Sequence, residues 1–308
     1  MHKRSYLLLF LITAIFVPGI SSFAAPPSQA SGTTVYLPFA GAAEARFRAG
    51  YDLRIVYGAQ AETLLSQIPA GWARAGDLLW NDIEPTRGVY NWAAAAPLEA
   101  NIRRIRAANL EPIVMVQIAP TWARVLPDRF CSPVAQEAYA DLARFAAALT
   151  KRYSSGDLTV RYWQFWNEPD FKSDIDDGLG SGCWNTGVAP WHGGDAYGAA
   201  LRAFAASMRA TNASARIICG NFAHPWPDDQ QTLAFLRGII ENGGLDCDII
   251  GFSGYTRWGS AERMTLKAQS LRRVLTDYGL SSMPLVATEV GDVCQPGQPC
   301  GAEFYQTQ

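Results

Sequence analysis

From about residue 51, short apolar and aromatic runs recur along the chain, separated by longer stretches rich in alanine and arginine whose apolar positions fall at helical spacing. The runs Asp52–Tyr57, Gly76–Trp80, Pro112–Ile118, Thr159–Trp166, Arg216–Cys219, Asp248–Phe252 and Leu285–Thr288 read as strands. Several are apolar throughout rather than alternating, as strands covered on both faces must be. Between them, Glu62–Ile68, Pro97–Ala108, Pro133–Tyr153, Asp195–Thr211, Asp229–Asn242 and Ala261–Tyr278 read as helices. In the second of these, Leu98, Ile102 and Ile105 recur at i, i+4 and i+7, while Arg103, Arg104 and Arg106 lie off that stripe, so one face is built for packing. Strand and helix alternating in this way predict an α/β fold, a (β/α)₈ barrel, with a doubly wound open sheet as the alternative. No Gly-x-Gly-x-x-Gly turn supports a dinucleotide-binding sheet.

An eight-stranded barrel needs a further strand and helix after Glu289, yet Val290 to Gln308 is rich in turn residues. The expectation is a barrel incomplete at its C-terminus; the alternative is a first strand supplied by Thr34–Phe39. At the other end, His2-Lys3-Arg4 is a basic start, Leu7 to Val17 an apolar stretch, and Ser22-Phe23-Ala24 a small-x-small cleavage site. This predicts a secretory signal peptide over residues 1–24, too short in its apolar part to span a bilayer. Residues 25–45 read as a flexible leader and 46–308 as the barrel.

Composition narrows the partners. The 308 residues are 49% hydrophobic and 18% charged, which is globular, and 26 Lys and Arg against 28 Asp and Glu leave no basic surface for nucleic acid. A monomer acting on a neutral, polar substrate is expected, with no stable membrane anchoring. The six cysteines include no Cys-x-x-Cys pair, which argues against zinc or redox motifs, and in an exported protein disulfides are expected. Cys294 and Cys300 bracket a turn-rich loop and form one candidate pair. Pairings of Cys131 with Cys183 and of Cys219 with Cys247 are two among the 15 connectivities that six cysteines permit.

The candidate chemistry lies in Val160–Pro169, an aromatic run that stops at Asn167, Glu168 and Pro169. Pro169 removes a backbone donor and disfavours a helical Glu168, so the strand ends there with a carboxylate at its tip. Glu289 ends a similar run from Pro284. Catalytic groups of such barrels sit at the C-terminal ends of strands, and two carboxylates there are the minimum kit for cleaving a glycosidic bond. By the same rule Glu111, which precedes its strand, is structural. Glu84 follows a strand and competes by position, although its loop, Trp80 to Trp92, is packed with aromatics and offers Arg87 as an ion-pair partner.

Trp166-Asn167-Glu168-Pro169 resembles the Asn-Glu-Pro signature at the end of strand four in clan A glycoside hydrolases. Thr288-Glu289-Val290-Gly291 is similar to their strand-seven nucleophile segment, and Trp80 to Trp92 to the block that follows strand two. The resemblance implies that Glu168 is the general acid/base, Glu289 the nucleophile, Asn167 the amide that bonds the sugar 2-hydroxyl, and Glu84 a structural residue. It also exposes a departure. Where the clan often has a histidine two residues before a tyrosine after strand six, this chain has Ser253, while Tyr255 remains to hold Glu289.

Sugars stack on flat apolar surfaces, and the strand-end loops offer Trp122, Trp184, Trp191, Trp226 and Trp258, of which Trp122 and Trp258 are the expected subsites. The acidic run Asp174, Asp176, Asp177 lacks the spacing of a calcium loop and reads as a solvated turn, so no metal or cofactor is expected. His192 and His224 are loop residues, possible only as substrate contacts. The functional expectation is a secreted retaining β-glycosidase cleaving a poly- or oligosaccharide by double displacement; the alternative is a non-catalytic glycan-binding barrel.

Overall fold

The computed structural model describes residues 50–52, 70–171, 182–223, 225, 227, 229–255 and 261–290, with only the backbone course of 50–52 and 261–263. Seven strands, β1 (Gly50–Asp52), β2 (Trp72–Leu79), β3 (Glu111–Gln117), β4 (Tyr162–Phe165), β5 (Arg216–Phe222), β6 (Ile249–Ser253) and β7 (Leu285–Glu289), form one sheet. Each pairs in parallel with the next in chain order. Among the described residues, five helices of 12 residues or more follow strands: α1 (Ala96–Ala107), α2 (Tyr139–Arg152), α3 (Gly194–Thr211), α4 (Gln230–Gly243) and α5 (Ala261–Asp277). Sequential parallel order with helical crossovers is the winding of a (β/α) barrel, not of a doubly wound sheet, whose strand order reverses. The expected helix Glu62–Ile68, the leader, the signal segment, Thr34–Phe39 and the Cys294/Cys300 loop lie outside the described residues.

The sheet is strongly curled, as one contact demonstrates. On a flat sheet β2 and β7 would stand roughly 24 Å apart, at about 4.8 Å per strand. Yet the side chains of Arg74 on β2 and Glu289 on β7 meet at 2.5 Å. Inside the curl, Trp72, Ile113, Tyr162, Ile218, Ile249 and Val286, one from each of β2 to β7, form an apolar cluster. Each contributes about 1.5–3 kcal/mol by its burial. Outward-facing residues of the same strands, such as Val114, Val116, Trp163, Phe165, Ile217 and Ile250, pack against the helices in a second core.

Helix boundaries follow local chemistry. The stripe Leu98, Ile102, Ile105 of α1 is buried as its spacing predicts. The Asp229 side chain accepts the backbone N–H groups of Gln231 and Thr232 and so caps α4. The predicted helix Pro133–Tyr153 begins later, at Tyr139, because Val134 bridges to Arg124 and Ala135 bonds Ala123, which draws those residues into a loop pairing. Both Cys131–Cys183 and Cys219–Cys247 are formed, with Cα separations of 4.7 and 5.6 Å. The first joins the loops after β3 and β4; the second joins β5 to the turn before β6. Among the described residues no helix is long and apolar enough to cross a membrane. The two disulfides fit an oxidising compartment.

Replacing Cys219 and Cys247 together by serine removes a cross-link spanning 28 residues and is expected to cost about 3–4 kcal/mol in urea denaturation under non-reducing conditions. A second expectation concerns alkali. The Tyr139 hydroxyl donates to Ala196 O at 3.0 Å, joining α2 to α3, and burial with the nearby Asp195 charge pushes its pKa from 10.0 up to about 12. A folded-state value above the unfolded one gives stability that is complete below pH 10 and is lost as pH rises towards 12. Tyr139→Phe should be less stable at neutral pH by about 1 kcal/mol and lose less stability between pH 9 and 11, as urea denaturation at each pH would show.

Candidate active site

The strand β4 ends at Phe165, and the chain then turns under strain: φ is +69° at Trp166 and +40° at Glu168. Glu168, which Pro169 keeps from the right-handed helical region, is left-handed. Non-glycine residues there cost on the order of 1–3 kcal/mol each and need a surround that enforces them. That surround is present. Trp166 N donates to Val116 O at 2.8 Å, Glu168 O accepts from Phe171 N and Gly182 N, and the buried Tyr197 hydroxyl donates to Phe165 O at 2.6 Å. Asp170, also buried, accepts from Ala223 N and from the Thr232 hydroxyl, fixing the turn to β5 and α4. Gly220 has no alternative: a Cβ there would stand 2.9 Å from the Pro169 ring.

The result places Glu168 and Glu289 at the C-terminal ends of β4 and β7, on the same open end of the curled sheet. Glu289 is 7% exposed and receives three donors. Its Oε1 accepts from Arg74 Nη1 at 2.5 Å and from Asn221 Nδ2 at 3.0 Å, and its Oε2 accepts from the Tyr255 hydroxyl at 3.1 Å. Glu168, half-buried, accepts at Oε1 from the Ser253 hydroxyl at 2.7 Å. The same hydroxyl oxygen accepts from Asn221 Nδ2 at 2.9 Å, while Asn221 Oδ1 accepts the Glu168 N–H at 3.0 Å. One amide therefore touches both glutamates.

Arg74 is fully buried and reaches further, with Nη2 2.8 Å from Met115 Sδ and 3.4 Å from Asn167 Oδ1. Lys267, from α5, is buried behind Ser253 and donates to the carbonyls of Ser253 and Ala223 at 2.9 and 3.0 Å, closing the tips of β5 and β6 together. Three donors, one a guanidinium, favour the ionised form of Glu289.

Four of the six expected site residues, Glu168, Glu289, Asn167 and Tyr255, thus meet in one network. Trp122 belongs to a separate cluster: it packs edge-on against Trp80, carries Arg87 at 4.9 Å over its ring, and donates to Glu84 O at 3.2 Å. Trp258, like Trp226, His224 and the acidic run, lies outside the described residues. Glu84 is fully buried and accepts from Trp80 Nε1 and Gly88 N, so it closes the loop that contains it. Among the described residues no group of three or more histidine, cysteine or acidic side chains is placed to hold a metal ion.

Arg74, Asn221 and Lys267 were not expected. Each of the first two, and Ser253, sits at a register shift, between Arg74 and Gly76, Cys219 and Phe222, and Phe252 and Ser253. Bulges re-aim side chains, so the two-residue alternation of a regular strand does not say where these point. An arginine inside the apolar stretch Trp72–Ala75 was the one visible sign.

No protein-family model and no curated protein matches the chain. Among solved structures it is similar to a monomeric β-xylosidase from Caulobacter crescentus CB15, with a TM-score of 0.58 and 17% identity over 82% of this chain and 53% of that one. It is also similar to the GH39 enzyme from Xanthomonas axonopodis pv. citri, with a TM-score of 0.56 and 15% identity over 80% and 51% of the two chains. A third is a family 39 glycoside hydrolase from Bacteroides cellulosilyticus WH2, with a TM-score of 0.52 and 17% identity over 76% and 46%. The chain spans about half the length of these structures. It shares the (β/α)-barrel fold on which these glycoside hydrolases are built.

Proposed function

We propose that this protein is a secreted retaining glycoside hydrolase that cleaves β-linked poly- or oligosaccharides, with Glu289 as nucleophile and Glu168 as general acid/base. The observation that carries the reading is a pair of carboxylates on strand tips, joined through Asn221 and Ser253, with Glu289 held by the Arg74 guanidinium and Glu168 bonded by the Ser253 hydroxyl. The β-xylosidase and the family 39 hydrolases among its structural neighbours support the same class of chemistry. The signal-like start of the sequence supports export, as do the two disulfides.

In this reading Glu289 attacks the anomeric carbon while Glu168 protonates the departing oxygen, so the C–O electron pair leaves with the aglycone. Glu168, now a carboxylate, takes a proton from water, and the water oxygen displaces Glu289. Two inversions return the original anomeric configuration. Arg74, Asn221 and Tyr255 hold the Glu289 anion in line before attack. Asn167, fixed beside Arg74, presents its amide to the sugar 2-hydroxyl. Trp122 and Trp258 are proposed as stacking surfaces in the cleft, and the protein as a monomer.

Hydrolysis of a panel of 4-nitrophenyl β-glycosides tests the assignment. Glu289→Gly should lose turnover and regain it with azide, which stands in for the missing nucleophile. Glu168→Gln should lose about 10²–10⁴-fold, most on substrates with poor leaving groups. No hydrolysis by the intact protein, or hydrolysis that survives the Glu289 change, removes the glycosidase reading. Arg74→Met strips the buried Glu289 of its counter-charge and should lower stability by about 3–5 kcal/mol at pH 7, with much of that loss recovered in the Arg74→Met, Glu289→Gln double variant.

A further inference from the structure

Residues 182–185 press against the tip of β4 at three points. Gly182 N donates to Glu168 O at 2.9 Å, and the Asn185 side-chain amide donates to Asp170 O at 2.6 Å. Between them the Trp184 ring stands edge-on to that of Trp166, with centroids 5.2 Å apart. The two left-handed residues of the tip, Trp166 and Glu168, are therefore each met by one chain neighbour of Cys183. The fit requires glycine at 182: φ there is +76°, and a Cβ would collide with Phe171 O. Gly182, Cys183 and Trp184 are all buried against the tip.

A covalent bond anchors this clasp. Cys183 is joined to Cys131, in the loop after β3, and the two arms of that loop are paired. Val125 N donates to Pro133 O at 3.0 Å, Ala135 N to Ala123 O at 2.8 Å, and Leu126 N to Ser132 Oγ at 2.9 Å. The segment that holds the β4 tip is thus itself fixed to a neighbouring loop with its own internal bonds. Left-handed non-glycine residues persist only where their surroundings enforce them, and a hydrogen bond from an untethered segment is readily exchanged for one to water.

We propose that Cys183, through its bridge to Cys131, is a positioning residue for general-acid catalysis: it keeps residues 182–185 on the β4 tip and so keeps Glu168 in the backbone conformation from which its carboxyl acts. The inference rests on the acid/base role of Glu168. When the glycosidic bond breaks, the C–O electron pair leaves with the aglycone oxygen, and that oxygen takes the Glu168 proton. A 2,4-dinitrophenolate leaves without the proton, whereas an alkoxide does not. Glu289 is held separately, by Arg74, Asn221 and Tyr255, so its attack does not run through the bridge. Loss of the bridge should therefore be felt in proportion to the aglycone's need for a proton.

The test compares the intact protein with the Cys131→Ser, Cys183→Ser double variant on glycosides of one sugar, with leaving groups graded from 2,4-dinitrophenyl through phenyl to methyl. The sugar is the one cleaved fastest as its 4-nitrophenyl β-glycoside. In kcat/KM, which reports the step that breaks the glycosidic bond, the double variant should stay within about threefold of the intact protein on the dinitrophenyl substrate and fall about 10–100-fold on the phenyl and methyl ones. Gly182→Ala keeps the disulfide but drives the segment off Phe171; it should steepen the same dependence, and it covers a double variant that does not fold. A cross-link that only restrains the unfolded chain changes stability and not the leaving-group dependence. No loss, or a loss equal across the leaving groups, therefore overturns the proposal. A protein that hydrolyses none of the series defeats the glycosidase reading and this inference with it, while hydrolysis whose leaving-group dependence ignores the variants defeats this inference alone.

Discussion

The buried ion pair between Arg74 and Glu289 is the constraint around which the described structure closes. An arginine on the inner face of β2 and a glutamate ending β7 are 0% and 7% exposed, and neither ion can be buried alone without a penalty of several kcal/mol. Their 2.5 Å contact requires the sheet to curl until strands five places apart face each other. The apolar layer from Trp72 to Val286 forms the floor beneath, and the polar groups above it, Asn167, Asn221, Ser253 and Tyr255, supply the hydrogen bonds that a buried ion pair needs.

The same pair separates the two glutamates in character. Glu289 meets a guanidinium, an amide and a phenol, and Glu168 meets the Ser253 hydroxyl. The tip of β4 carries two left-handed non-glycine residues. The left-handed residues Trp166 and Glu168 are held by Tyr197, Asp170 and the side-chain-free Gly220, so rigidity around the β4 tip comes from the helices and from β5 rather than from the turn itself.

Much of this was legible beforehand, and the misses have a common cause. The alternation of apolar runs with helical stripes located six strands and five helices among the described residues, each with its boundary shifted by a few residues at most, apart from the late start of α2. The two glutamates were legible because each ends an apolar run, and Glu84 as structural only through the resemblance of its loop to the block after strand two. Arg74 was missed because its strand was placed too late, starting at Gly76, and Asn221 because β5 was ended too early, at Cys219. In both places a bulge carries the strand onward and turns a polar side chain inward. Periodicity cannot register a bulge, because an extra residue changes the face of everything after it.

The sequence by itself determined the alternation of strand and helix and the two carboxylates at the ends of apolar runs, and it held both observed disulfides among its open alternatives. These depend on local periodicity and on residue types with few roles. Only the tertiary structure decided which groups stand between the carboxylates, that Arg74 belongs to Glu289, and that Ser253 faces Glu168. Those relations join residues 32 to 215 positions apart along the chain. They exist because curling the sheet brings β2, β5, β6 and β7 to one point, and no pattern along a single strand encodes that meeting.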